Sequence, residues 1–217
     1  MRNHEALKNT LHAGLVQLGV ELPVAAEQQL IDLVGLIEKW NRVYNLTAVR
    51  EPEEMITRHL LDSLAVMPYV QGRRVLDIGC GAGLPGLPLA IALPDTHFTL
   101  LDANAKKTRF VMQAAVELGL ANVAVVQTRV EKYLPTHKFD TLIARAVASV
   151  AEILHAAQHL CVSDSEFLFM KGAYPGQELA DMPGEFKMIE VIKLRVPGLN
   201  AERHLVRVHC AAPSEPV

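Results

Sequence analysis

The sequence predicts an α/β fold: a doubly wound, mostly parallel sheet of seven strands behind an N-terminal helical extension. Three observations carry that prediction. Residues 75–86, Val-Leu-Asp-Ile-Gly-Cys-Gly-Ala-Gly-Leu-Pro-Gly, run a buried-strand pattern straight into a glycine loop. From Arg74 onward, short apolar runs alternate with helix-period segments, as a parallel sheet requires. Before residue 70 the apolar residues recur instead at helical spacing.

The extension is expected to span 1–70. Leu30, Ile31, Val34, Ile37 and Trp40 fall three and four residues apart after Pro23, which suits a helix start. Glu51-Pro52-Glu53-Glu54 opens another helix with acids in its first turn, where the helix dipole favours them. Met55, Ile56, Leu60, Leu61 and Leu64 supply its apolar face. Between the two, Tyr44-Asn45-Leu46-Thr47 reads as a turn, and Pro68 and Gly72 close the segment.

The second unit is expected to span 71–217. Strands are predicted at 74–78, 97–101, 123–127, 139–144 and 166–170. Two more, at 186–195 and 204–210, flank Pro197-Gly198-Leu199-Asn200 as a closing hairpin. Helices fill 85–93, 105–118 and 149–160. Pro85 and Pro88 fall in the opening turn of the first, where backbone N–H groups lack intrahelical partners and proline is tolerated. Gly119 suits the residue just past the second.

Composition narrows the class. The 217 residues are half hydrophobic and about a fifth charged, as in an ordinary globular protein. Net charge is −3, with six Lys/Arg against nine Asp/Glu in residues 1–70 and fifteen of each beyond. A polyanionic partner therefore has to be met by a local basic face. No apolar run reaches membrane-spanning length, and Met1-Arg2-Asn3-His4-Glu5 has no signal-like apolar segment after it. Cys80, Cys161 and Cys210 are odd in number and lack Cys-x-x-Cys spacing, which argues against a disulfide framework or a zinc site and for a reducing cytosol. Cys80, inside the loop, reads as a small residue in a tight turn rather than a nucleophile, because no activating partner lies near it in sequence.

The loop fits two cofactors. Gly81-Ala82-Gly83-Leu84-Pro85-Gly86 is a literal G-x-G-x-x-G, with Asp102 21 residues beyond Gly81, the nicotinamide-dinucleotide pattern. Gly79-Cys80-Gly81-Ala82-Gly83 is equally a G-x-G-x-G loop of the S-adenosylmethionine type. Spacing does not decide, since both cofactors present a ribose diol to the carboxylate at Asp102. Asp77 weighs on the choice. Two unit charges about 4 Å apart at an effective dielectric near 20 interact by roughly 4 kcal/mol, a repulsion that a pyrophosphate beside Asp77 would suffer. The ammonium and sulfonium of S-adenosylmethionine would be attracted instead. A parallel sheet closed by an antiparallel hairpin is also the layout of a large methyltransferase class.

Ligands of open α/β sheets bind outside the carboxyl ends of the strands. After the third strand, Val130 offers an adenine ring an apolar edge and Glu131 an acceptor for its amino group, although Glu131 equally reads as a solvated helix-start charge. After the fourth, Arg145 lies among small apolar residues, as a ligand clamp or one half of an internal salt bridge. That position lacks the Asn/Asp-Pro-Pro-Tyr element used on exocyclic amines and the Pro-Cys nucleophile used on pyrimidine carbon.

The chain resembles the bacterial ribosomal RNA small subunit methyltransferase G family, also called glucose-inhibited division protein B. The blocks that carry the resemblance are Lys39-Trp40-Asn41, Tyr44-Asn45-Leu46-Thr47, Arg58-His59, Leu61-Asp62-Ser63, Asp77 to Gly86, Leu100-Leu101-Asp102, Phe139-Asp140, Arg145-Ala146, Lys171-Gly172 and Glu202-Arg203-His204. The resemblance implies a class I S-adenosylmethionine-dependent methyltransferase fold. It also implies methyl transfer to N7 of one guanosine of 16S rRNA near the decoding region. Cofactor contacts are implied at Gly79, Leu84, Val130, Glu131 and Arg145; the residues themselves add Asp77, Gly81, Gly83 and Asp102. Guanine N7 has a lone pair and no proton to remove, so no side chain is expected to act as acid or base, and Arg145 is expected to position. The partner is then 16S rRNA or the small ribosomal subunit, met by a cytoplasmic monomer that needs no metal, membrane or protein partner.

Lys106-Lys107 with Arg109, Arg129 with Lys132, and Arg203 with His204 are candidates for a basic rim; each alone reads as ordinary surface charge. His59 and Asp62, one helical turn apart, read as a surface pair or an RNA-facing one. Trp40 reads as core. Other functions that fit are a methyltransferase acting on a small molecule or protein and an NAD-dependent oxidoreductase.

Overall fold

The computed structural model describes residues 2–210, so residues 1 and 211–217 of the two expected units lie outside the described residues. Helix α1 (Arg2–Leu18) buries Leu7, Leu11 and Leu15, one residue per turn. Helix α2 (Val24–Tyr44) begins directly after Pro23 and ends where Asn45 turns left-handed at φ 48°. Its buried face is Leu30, Ile31, Val34 and Ile37, the predicted stripe, extended by polar Asn41. Trp40 sits at the core margin, stacked on Tyr44 and edge-on to Phe110, as a core residue should.

The next helix differs from expectation. It starts as α3 (Pro52–Met55), widens into a π-helical turn over Ile56–Leu61, and finishes as α4 (Asp62–Leu64). A π turn rotates the following side chains away from the α-helical register. Here Met55, Ile56, His59, Leu60, Leu61, Asp62, Ser63 and Leu64 are all buried.

The sheet comprises β1 (Arg74–Ile78), β2 (His97–Asp102), β3 (Val123–Gln127), β4 (Phe139–Arg145), β5 (Cys161–Lys171), β6 (Lys187–Leu194) and β7 (Arg203–His209), ordered β3-β2-β1-β4-β5-β7-β6. The first five are parallel, and β7 and β6 close the sheet antiparallel. Helices α5 (Gly86–Ala92), α6 (Ala105–Glu117) and α7 (Val150–Ala157) follow β1, β2 and β4, and a short α8 (Gly176–Ala180) follows β5. Strand β5 starts five residues earlier than predicted, its irregular first half joined to β4 across a register shift at Phe139/Thr141.

Alternate residues of each central strand serve opposite faces. Val75, Leu100, Ile143 and Leu168 join one core with α1, α2, α5 and α6; Leu76, Leu101, Leu142 and Phe167 join a second core with α7. The N-terminal helices therefore share a continuous core with one face of the sheet. The helix starts are locally encoded: the Asn104 side chain accepts from the Lys106 and Lys107 amides, and Ser149 with Glu152 forms a capping box. No helix among the described residues is long and apolar enough to cross a membrane.

Candidate active site

The strand order reverses between β1 and β4, and at their carboxyl ends the surface opens into two adjoining cavities. One, about 860 Å³, lies over β2 and β3 and is lined by Leu101, Asp102, Thr128, Val130, Glu131 and Val147. The other, about 440 Å³, lies toward β4, β5 and the π turn and is lined by Leu46, His59, Asp62, Leu84, Arg145 and Arg203 among others. Gly79, Lys107 and Ala146 line both.

Backbone hydrogen bonds hold the loop between them. The Gly79 and Cys80 amides both donate to the Leu101 carbonyl, at 2.8 and 3.0 Å. The Gly81 amide donates to Asp102 Oδ2 at 2.9 Å, while Asp102 Oδ1 accepts from the Asn104 amide at 2.8 Å. Gly79 adopts φ 68°, and a Cβ there would lie 2.7 Å from Val147 Cγ2, so this strand exit needs glycine for conformation and for space. Gly81 and Gly83 also have positive φ. Gly81 lines the smaller cavity; Gly83 lines neither and packs against Leu87 beneath the loop.

Asp77 is placed differently from the expectation. It lies under the loop and lines neither cavity, its Oδ2 accepting the Gly86 amide at 2.8 Å. Its Oδ1 is buried without a hydrogen-bond partner. Burial pushes its carboxyl up to about 7, against the opposing pull of the Gly86 amide and Arg145. Asp77 is therefore not the permanent negative charge that the argument against a pyrophosphate assumed. The start of α5 argues against a dinucleotide more directly. Helix N-termini bind pyrophosphate through free amides. Here Gly86 N–H is taken by Asp77, Leu87 N–H by the Gly83 carbonyl, Pro88 has none, and Leu89 N–H pairs with the Pro85 carbonyl. Cys80 lines the smaller cavity, but burial and then the carboxylates of Asp77 and Asp102 push its thiol well above the usual range, so it is not poised as a nucleophile.

The wall facing the loop was not anticipated. Asp62, 2 % exposed, accepts from Arg145 Nη1 at 3.2 Å through Oδ2 and from Arg203 Nε at 2.7 Å through Oδ1. One carboxylate from the N-terminal helices thus ties the ends of β4 and β7 together. His59 is also buried, its Nε2 2.9 Å from Thr47 Oγ1. Burial and then the Arg145 charge lower its pKa to about 4, so it is neutral at pH 7 and a weak base. Asn41 sets this up by accepting the Thr47 amide and donating to the Val49 carbonyl. Of the two readings of His59 and Asp62, the surface pair is therefore corrected: both are buried, both line the smaller cavity, and Asp62 pairs with arginines instead.

The basic rim needs a similar correction. Arg203 turns inward to Asp62, and His204 is buried with Nδ1 2.9 Å from the Gly172 carbonyl. Lys106, Arg109, Arg129 and Lys132 are exposed, and Lys107 lines both cavities. Arg145 forms the internal salt bridge of one of its readings, and it lines the smaller cavity, where a ligand clamp would have to stand. Val130 is buried and Glu131 exposed at the edge of the larger cavity. The proposed cofactor residues thus divide: Asp102, Val130 and Glu131 on the larger side, Gly81, Leu84 and Arg145 on the smaller, with Gly79 between. The polar signals for Asp62 and Arg203 lay in their sequence blocks, but nothing in the sequence paired residues 141 positions apart.

These features fit an adenosine-bearing sulfonium cofactor: a glycine exit that a Cβ would fill and a carboxylate at the end of β2 beside the larger cavity. A family model described as rRNA small subunit methyltransferase G matches residues 26–206. The chain is 52% identical over 201 residues to the ribosomal RNA small subunit methyltransferase G of Nitrosococcus oceani, covering 93% of this chain and 94% of that one. It is 51% identical over 202 residues to that of Laribacter hongkongensis, covering 93% and 98%. Among solved structures, the glycopeptide N-methyltransferase MtfA in complex with S-adenosyl-L-methionine matches with a TM-score of 0.62 at 10% identity, over 72% of this chain and 88% of that one, a likeness of fold. The chain belongs to the rRNA small subunit methyltransferase G family, and with it to the S-adenosylmethionine-dependent methyltransferases.

Proposed function

We propose that this protein transfers a methyl group from S-adenosylmethionine to N7 of one guanosine of 16S rRNA, near the decoding region of the small ribosomal subunit. The observation that carries the reading is a cleft in which no described residue that lines it is a poised acid or base, in a chain of this family. Asp62 is locked by two arginines, His59 is a weak base engaged with Thr47, and the Cys80 thiol is held protonated. Amine or pyrimidine-carbon acceptors call for a positioning motif or nucleophile that the end of β4 lacks; a guanine N7 lone pair calls for neither.

The cofactor, when bound, supplies an electrophilic methyl group on a sulfonium. Asp102 would accept from the ribose hydroxyls, and Val130 and Glu131, which line the same cavity, would hold the adenine. Gly79, Gly81 and Leu84 form the floor near the reacting centre, over Gly83 and the Asp77 carboxylate. Arg145, fixed by Asp62, orients what enters the smaller cavity, and its barrier-lowering effect is alignment and exclusion of water. Residues 1–70 act in this reading as an extension supplying one cleft wall, and 71–217 as the methyltransferase unit. The enzyme works as a cytoplasmic monomer on RNA.

The test incubates the protein with labelled S-adenosylmethionine and small subunits from an unmodified strain, then maps the modified nucleotide. Label on a single guanine N7 is expected, and label on any other atom overturns the reading. Heat-stabilisation by S-adenosylmethionine but not NAD(H) is expected in the same preparation.

A further inference from the structure

Of one Trp, four Tyr and six Phe, all within the described residues, only Tyr174 is exposed, at 60%. A single exposed aromatic is unremarkable by itself. Its location is what matters. Tyr174 lies two residues beyond Gly172 and three beyond Lys171, both of which line the smaller cavity. Its ring meets the buried His204 ring at 84° with centroids 5.7 Å apart. His204 is in turn fixed by the Gly172 carbonyl and follows Arg203, another cavity residue. An edge of the ring also comes near Gly176, where a Cβ would stand 3.5 Å from Tyr174 Cε1. The loop after β5 therefore holds an exposed aromatic ring, oriented by His204, two residues beyond the cavity residue Gly172.

The proposed reaction makes a demand that such a ring meets. In an A-form helix N7 faces a deep, narrow groove that side chains cannot enter, so the guanine must be single-stranded or turned out of its stack. An unstacked base is held on protein by an aromatic face, with cations along its backbone. Arg58 is exposed and lines the same cavity, and Lys107 lines it as well. Resting on the N7-guanosine reading, we infer that Tyr174 is the stacking platform for the acceptor guanine, a substrate-binding residue outside the cofactor contacts.

The test compares Tyr174→Ala, Tyr174→Leu and Tyr174→Phe with the wild type on unmodified small subunits, alongside the Kd for S-adenosylmethionine. Stacking on one base corresponds to roughly a five- to 150-fold effect. Tyr174→Ala and Tyr174→Leu should each lose that much kcat/KM for RNA, Tyr174→Phe should stay within about twofold, and the cofactor Kd should not move. Full activity of Tyr174→Leu overturns the inference, because an apolar residue without a π face then suffices. A weakened cofactor Kd in Tyr174→Ala also overturns it, by assigning the ring to the cofactor side. A wild-type enzyme that labels no RNA removes the N7 reading, and the inference with it; labelling that is indifferent to Tyr174 removes the inference alone.

Discussion

Asp77→Asn separates charge from shape at the floor of the cleft. Burial pushes the folded carboxyl up from its ordinary value of 3.8 to about 7. Because the folded value is raised, the folded state holds its proton more tightly than the unfolded chain. The favourable contribution is complete below pH 3.8, erodes as pH rises, and is gone above about 7. At 1.36 kcal/mol per unit, the full effect is about 4 kcal/mol, of which about 3 kcal/mol falls between pH 5 and 8. Asparagine keeps an oxygen to accept the Gly86 amide but places an unpartnered amide where Oδ1 now lies, a pH-independent cost of about 1–3 kcal/mol. Urea unfolding of the ligand-free protein across that range should therefore show the variant gaining about 3 kcal/mol on the wild type as pH rises, whatever the starting offset. A difference that stays level from pH 5 to 8 would refute the placement of an ionisable, desolvated carboxyl under this loop.

Further expectations concern the walls of the cleft. Gly79→Ala forces a Cβ against Val147 at a left-handed φ and should weaken cofactor binding at least tenfold by calorimetry; near-native affinity would mean that the exit tolerates a side chain. Asp62→Ala leaves Arg145 and Arg203 without their shared partner. Those guanidiniums keep about a fifth to a quarter of their surface in water, so the destabilisation should be about 2 kcal/mol rather than the larger cost of a fully buried broken pair, read as a lower urea midpoint. Arg145→Gln should lower kcat/KM by roughly a hundredfold with the shape of its pH profile unchanged, since the residue positions and transfers no proton. A new or vanished ionisation near neutrality in that profile would contradict the base-free mechanism.

The alternation of strands and helices, the loop at 79–86 and the acid at 102 were legible because each is a local constraint. Burial on both faces makes continuous apolar strands, a left-handed exit admits little but glycine, and a carboxylate ending β2 stands next to β1 by the pairing of Ile78 with Leu101. Helix caps at Asn104 and Ser149 are equally short-range. What the sequence left open depended on contacts between distant residues. His59 and Asp62 have the spacing of a solvated pair, and only tertiary contacts around the π turn, to Thr47, Arg145 and Arg203, bury them. Asp62 meets Arg145 and Arg203 because three elements far apart in the chain converge on one cleft. Asp77 follows the strand pattern in either reading, and whether it faces a ligand or the start of α5 is settled by which side of the loop the backbone turns. The sequence by itself determined the sheet, the glycine exit and the family. Tertiary packing decided which charges are paired, which are desolvated and which face the cleft, because those are properties of a residue's surroundings and not of its neighbours in sequence.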